Sequence, residues 1–367
     1  MSDSTTTPTQ HKALVYDNPG HISTKVEYVD TLTPGVGELL VKLTHSGMCA
    51  SDMSVMTNQW HHMAPTPKGQ IGGHEGVGEI VAFGPGAAEI SNLKLGSRVG
   101  IKWMAYTCGN CVLCLAGLDS WCETGKVSGY LYPGTFQQYA IAPAHYVTPI
   151  PDAVPSEMAA PLLCAGLTVY AALRKTGCEP GDWVVIPGSG GGLGHLALQI
   201  GGKGMGFRMM GIDMGDKEQF SRECGAEEFF DVSKYGGDST ASLADDVKRV
   251  TGGRGASAVV VCTASNAAYA QALNFIRIGG TVVCVGIPEG EEVPIPNATP
   301  TRVILSSGRM VGSSVGNRLE AIQLLDMAAR GVVKTRLRLE KLENATELFE
   351  LMRQNALQGR VVFDLQN

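Results

Sequence analysis

From residue 183 onward the chain alternates short, unbroken apolar runs with stretches of helical pattern. The runs are WVVIP (183–187), RMMGID (208–213), EFFDV (228–232), SAVVVCT (257–263), GTVVCVGI (280–287) and RMVGSS (309–314). Helical patterns fill 193–203, 216–224, 240–250 and 266–276 between them. Continuous β-branched runs bounded by turns are what strands buried on both faces of a parallel sheet look like. Strands alternating with helices then predict βαβ units and a doubly wound α/β sheet.

The first 150 residues have another rhythm. KALVY (12–16), GELLVKLTHS (37–46), GVGEIVAF (76–83) and FQQYAIA (136–142) are short alternating runs cut by Gly, Pro and polar turns. They predict a β-rich, barrel-like domain. The tail carries two amphipathic helices, near 318–330 and 342–355, and a last strand, GRVVFDL, predicted to return to the first domain. A length of 367 residues with 44% apolar side chains suits two domains with sizeable cores. A net charge of −6 without a dense Lys/Arg run argues against nucleic acid and anionic lipid as partners. Only 17% of residues are charged, which favours an oligomer. No apolar stretch is long enough to span a membrane. The opening MSDSTTTPTQH has neither a basic nor an apolar targeting region, so the expected compartment is the cytoplasm.

In such a compartment the ten cysteines are not a disulfide framework. Cys108, Cys111, Cys114 and Cys122 form C-x2-C-x2-C-x7-C. Four thiolates on one loop can surround a zinc ion, and a site filled by four sulfurs leaves no room for substrate, so its role would be structural. The alternative is four unconnected buried thiols.

Gly188, Gly191, Gly192, Leu193 and Gly194 lie in a loop that follows a predicted strand and opens a predicted helix. Glycines there let backbone approach a pyrophosphate, and Asp213 ends the next strand, where a carboxylate can accept both hydroxyls of an adenosine ribose. That carboxylate would repel a 2′-phosphate, which favours NAD over NADP. A lone glycine loop can also be a mere tight turn. Cys49 in SGMCASD, His74 and Glu75 in GGHEGVGE and Cys164 in PLLCAGLTVY are individually ordinary core residues. Together, two thiolates and an imidazole would hold zinc with a fourth position open.

These residues resemble a known family. GGHEGVG, GIKW followed by the cysteine cluster, GTFQQYA, LLCAGLTVY, GGGLG and SSVGNR are similar to the zinc-containing alcohol dehydrogenases of the medium-chain dehydrogenase/reductase superfamily, in particular the tetrameric fungal and yeast type. The resemblance implies a GroES-like catalytic domain over 1–164, a Rossmann cofactor domain over 165–312 and a returning segment over 313–367. It implies that Cys49, His74 and Cys164 bind catalytic zinc, that Glu75 can approach the metal, and that Asp52 orients a ligand. Ser51 takes the hydroxyl position that passes the substrate proton onward. Asp213 and Lys217 match adenosine-ribose contacts, and Arg360 matches an arginine on the cofactor phosphates. Met56, Trp60 and Trp103 fall at the substrate pocket. Two positions depart from the pattern: Ala50 stands where relatives carry His or Arg, and Ser54 where a His usually ends the proton relay. His61 and His62 are close in sequence but read as surface residues.

The expected activity is reversible, NAD-linked oxidation of an alcohol to an aldehyde or ketone, with two zinc ions per chain, in a homotetramer or a homodimer. The altered relay motivates an alternative, a specialised carbonyl reductase or a zinc-dependent non-redox enzyme. A non-catalytic cofactor-binding protein is a third reading, opposed by the intact ligand set.

Overall fold

A computed structural model describes residues 7–235, 240–291 and 293–366. The chain divides into two compact units. One comprises the chain up to Cys164 with Asn317–Ala329 and Leu337 onwards, and the other comprises Ala165–Gly316 with Arg330–Arg336. The tail thus returns to the first unit from Asn317, and it hands Arg330–Arg336 back to the second on the way.

The second unit holds a six-stranded parallel sheet, in the order Glu228–Asp231, Arg208–Asp213, Trp183–Pro187, Ala256–Val261, Ile276–Cys284, Arg309–Gly312. Order reverses beside Trp183–Pro187, the place where an open α/β sheet leaves a crevice at its strand ends. Each of the six apolar runs becomes a strand, and every residue of Ala256–Val261 is buried, as expected of a strand covered on both faces. Ile276–Cys284 begins four residues before the expected GTVVCVGI, because Ile276 already pairs with Ala256 ahead of an irregularity in the register. The helix after the glycine loop, Gly194–Gln199, runs on as a π-helical turn over Ile200–Gly204.

The first unit is built on a seven-stranded sheet. Its long strand Glu38–Met48 pairs antiparallel with Gly76–Phe83, with Tyr139–Pro143 and with the final strand Arg360–Asp364. FQQYAIA enters the ladder only at Tyr139; Phe136 instead buries its ring edge-on against Phe363, at 5.2 Å between centroids. The core gathers Leu39, Val41, Leu43, Val99, Phe136 and Phe363. Elements with no clear signal in the sequence include the strand Thr24–Asp30, which among the described residues pairs only with Gln10–Tyr16, and the helix Ala50–Met56. Thr24–Asp30 has no buried residue, so it lacks the apolar alternation that reveals a strand. Among the described residues, no single helix is long and apolar enough to cross a membrane.

Candidate functional site

The four clustered cysteines converge in the first unit. One sulfur from each of Cys108, Cys111, Cys114 and Cys122 lies within 4.8 Å of the others. The loop turns through the short helix Val112–Leu115 and the 3-10 turn Asp119–Trp121. Two backbone groups already aim at sulfur: Cys111 N–H donates to Cys108 Sγ at 3.3 Å, and Cys108 N–H to Cys122 Sγ at 3.2 Å. N–H donors from Cys114 and Glu123 bring the Cys111 thiol down to about 6, while burial and the neighbouring Cys111 push Cys114 up to about 12. Sulfurs that crowd one another's negative charge in this way are suited to a shared cation. The loop is anchored from outside as well: Asn317 Nδ2 donates to Gly117 O (3.1 Å), and Arg318 N–H and the Tyr146 hydroxyl both donate to Asp119 Oδ2 (3.1 and 3.3 Å). An all-sulfur donor set is the closed, structural kind of zinc site.

The second cluster is fully buried in the same unit. Ligand atoms of Cys49, His74, Glu75 and Cys164 also lie within 4.8 Å of one another. Cys49 ends the strand Glu38–Met48 and caps the helix Ala50–Met56; His74 and Glu75 immediately precede the strand Gly76–Phe83. Because these strands are paired, Ser46 opposite Gly76, the two ends meet, and Gly47 N–H donates to Glu75 O at 3.1 Å. A Cβ on Gly47 would lie 1.9 Å from Glu75 Oε2, so this position has no room for a side chain.

Asp52 organises the cluster. Its Oδ2 accepts Cys49 N–H at 2.9 Å, and its Oδ1 lies 2.8 Å from His74 Nδ1. With Nδ1–H donated to that carboxylate, the neutral ring keeps its lone pair on Nε2, and among the described residues Nε2 is a buried atom without a hydrogen-bond partner. Such an orphan costs about 1–3 kcal/mol unless something binds it. An orphaned imidazole nitrogen beside two thiols is the donor set of a zinc site, and the residues fit the metal. Burial opposes protonation of His74, but Asp52 and then Cys49 outweigh it and raise the pKa well above the ordinary histidine value, so a metal bound here displaces the proton from Nε2. The adjacent thiols split: the hydrogen bond between them holds Cys49 well below the usual range and lifts Cys164 well above it.

Arg360, from the last strand, is 6% exposed and forks onto Glu75, with Nη2 at 2.5 and 2.6 Å from its two oxygens. Burial pushes Glu75 up to about 7, against the pull of Arg360. The arginine matched to cofactor phosphates therefore has its guanidinium engaged within the metal cluster, while its Nε is left without a partner. Sequence reasoning missed Thr135, whose Oγ1 accepts Glu75 N–H at 3.2 Å and meets Ser46 Oγ at 2.7 Å. The signal that could have found it is the motif GTFQQYA, in which Thr135 follows the glycine.

The remaining candidates spread around this centre. Trp103 sets its ring edge-on to His74 at 5.0 Å, and Trp60 packs against Trp103 at 6.1 Å. Ser51 is half-buried in the first turn of the helix, whereas Ser54 is buried and donates to Ala50 O at 3.2 Å. Met56 is 0% exposed and packs in the core of the first unit, one helical turn beyond Asp52. His61 and His62 are exposed, with His62 stacked on Trp60.

In the second unit the glycine loop joins the strand Trp183–Pro187 to the helix Gly194–Gln199. Gly188 has φ +81°, open to glycine, and a Cβ on Gly194 would lie 2.1 Å from Gly188 O. Gly191, Gly192 and Leu193 are half-buried. Asp213 accepts Gly190 N–H (2.8 Å) and Met214 N–H (2.8 Å), which brings the carboxylate at the end of one strand onto the loop at the end of the next. Lys217 packs beside Gly190, where a Cβ would meet its own at 2.7 Å, and its ammonium is 3.7 Å from Asp216. A close-approach loop with an acidic residue beside it fits a dinucleotide.

Comparison with known proteins shows the family of the chain. Residues 35–152 match the family described as Alcohol dehydrogenase GroES-like domain, and residues 192–330 match Zinc-binding dehydrogenase. The chain is 55% identical to Alcohol dehydrogenase 2 of Emericella nidulans over 361 residues, 98% of each protein. It is 39% identical to an alcohol dehydrogenase of Schizosaccharomyces pombe, over 97% of this chain and 98% of that protein. Among solved structures, acetophenone reductase from Geotrichum candidum, in complex with NAD, superimposes with a TM-score of 0.82 at 26% identity, covering 98% of both chains.

Proposed function

The chain belongs to the zinc-binding alcohol dehydrogenases of the medium-chain dehydrogenase/reductase superfamily, and from that membership we propose reversible NAD-linked oxidation of an alcohol to an aldehyde or ketone beside Cys49, His74 and Cys164. One observation carries the reading: His74 is buried, its Nδ1 is engaged by Asp52, and its Nε2, turned to the Cys49 thiol, has no hydrogen-bond partner within distance among the described residues. Zinc held by these residues supplies Lewis acidity, lowering the pKa of an alcohol. NAD would be held at the 188–194 loop and Asp213, and would supply the hydride acceptor.

The chain's own residues supply position and proton handling. Asp52 fixes the ring of His74 and the backbone of Cys49 at once, so that two ligands share one support. Arg360 balances the charge of Glu75, which keeps a third anionic group from competing at the cluster. Ser51 offers the hydroxyl that takes the substrate proton. Trp103 and Trp60 wall the approach to His74 with apolar surface. Ser54, whose hydroxyl donates back into its own helix, supports no imidazole-like proton store, so the proton passes from Ser51 to solvent.

The reading includes two zinc ions per chain, the second on Cys108, Cys111, Cys114 and Cys122, a homotetramer, and the cytoplasm. The test is a panel of alcohols and carbonyls followed by nicotinamide absorbance, alongside metal analysis of wild type and His74→Ala. Stoichiometric NADH with an alcohol, abolished in a folded His74→Ala that has lost one zinc, is the expected result. Turnover that leaves NADH unchanged would replace the redox reading by a non-redox one.

A further inference from the structure

His195 is fully buried in the first turn of the helix that follows the glycine loop. An apolar side chain would fill that space equally well, so its two nitrogens need explaining. Nε2 lies 3.4 Å from the backbone nitrogen of Arg336, and Nδ1 lies 3.0 Å from Gly191 O. A backbone N–H can only donate; Nε2 therefore accepts, and Nδ1 carries the proton and donates to Gly191 O. Both backbone contacts fit an imidazole protonated at Nδ1 and accepting at Nε2, with Phe220 tilted over the ring at 5.7 Å.

Gly191 O also accepts the backbone N–H of His195 at 3.2 Å, so the carbonyl is held by two donors from one residue. A peptide unit is planar and trans, and its C=O and N–H point opposite ways. Holding the Gly191 carbonyl inward therefore fixes the Gly192 N–H outward. Packing does not do this, because a Cβ on Gly191 would meet only Gly188 O, at 3.4 Å, and glycine peptides are otherwise free to turn. One helical turn further on, Gln199 serves another segment. Its amide donates to Lys334 O (3.1 Å) and accepts Lys334 N–H (2.9 Å), clasping Arg330–Arg336 without touching the loop.

We propose that His195 is a positioning residue for the dinucleotide, aiming the Gly192 N–H at its pyrophosphate through the Gly191 carbonyl. The inference rests on reading the glycine loop as the NAD site. Substitutions separate the two bonds of the ring. Asn places an amide nitrogen where Nδ1 stands, and so restores the bond to Gly191 alone. Gln places an acceptor near Nε2, and so restores the bond from Arg336 alone.

The experiment measures the Kd of NAD by equilibrium fluorescence titration, with Tm and steady-state kinetics, for His195→Asn, His195→Gln, His195→Leu and Gln199→Leu. His195→Leu and His195→Gln are expected to weaken NAD binding about tenfold, the effect of one net hydrogen bond. Their KM for NAD should rise further than kcat falls, and His195→Asn should recover most of the loss. Gln199→Leu should lower Tm and move Kd much less. Equal weakening by Asn, Gln and Leu in step with Tm would make His195 a packing residue and overturn the proposal. So would unchanged Kd in all three, or a Gln199→Leu loss as large as that of His195→Leu. Wild-type protein that fails to bind NAD would overturn the cofactor reading itself, and the inference with it.

Discussion

Asp52→Asn exchanges a carboxylate that accepts at two oxygens for an amide with one acceptor and one donor. Both groups that face this side chain are donors, Cys49 N–H at 2.9 Å and His74 Nδ1–H at 2.8 Å. If the amide oxygen keeps Cys49, its NH2 faces His74, and the ring avoids the clash only by moving its proton to Nε2. Nε2 is then no longer a metal ligand. If the oxygen keeps His74, the NH2 opposes Cys49 N–H, and a donor goes unpaired in a position only 2% exposed at Asp52. Either way one buried group is lost at about 1–3 kcal/mol. At 1.36 kcal/mol per decade that is about tenfold to a hundredfold in zinc affinity, the range found when support for a ligating histidine is removed. Competition of zinc-loaded protein against a chromogenic chelator measures it, and the four-cysteine site serves as internal reference because Asp52 makes no contact there. One zinc should leave earlier by that factor and the other unchanged. Identical release curves for wild type and a fully folded variant would refute the claim that Asp52 sets the tautomer of His74.

Three further outcomes follow from other sites. Lys102 is 2% exposed, donates to Tyr146 O and Thr148 Oγ1, and is brought down to about 7 by burial and then by Arg318. The unfolded chain holds that proton up to roughly pH 10, so wild-type stability should rise between pH 7 and 10 by on the order of 4 kcal/mol from this group; the difference in urea unfolding between wild type and Lys102→Met should show that slope, and a flat difference would contradict it. Cys111→Ser should remove one zinc by elemental analysis and lower Tm, because a closed thiolate site contributes to folding; full zinc content would rule out that cysteine as a ligand. Asp213→Ser should raise the ratio of kcat/KM with NADP to that with NAD by at least about tenfold, since like charges in contact cost several kcal/mol; an unchanged ratio would mean that the carboxylate does not meet the ribose.

What could be read from the sequence was what the chain builds from near neighbours. Six apolar runs predict the six strands of the second unit, because central strands such as Ala256–Val261 are buried on both faces and carry an unbroken apolar run. The four cysteines within fifteen residues can be grouped by spacing alone, because a loop that short has few ways to keep its thiols apart. Tertiary structure decided where side chains distant in sequence meet. Arg360 and Glu75 are 285 positions apart, and only the pairing of Arg360–Asp364 with Glu38–Met48 brings the guanidinium onto that carboxylate. Asp52 reaches His74 across 22 positions, and only the fold that buries Ala50–Met56 brings that carboxylate to the imidazole. Thr135 supports Glu75 across 60 positions, and His195 reaches Arg336 across 141. Local patterns record burial and turns, which each residue feels wherever its partners come from. Ligand orientation and proton placement depend on the particular atom that arrives from elsewhere in the chain, and only folding supplies it.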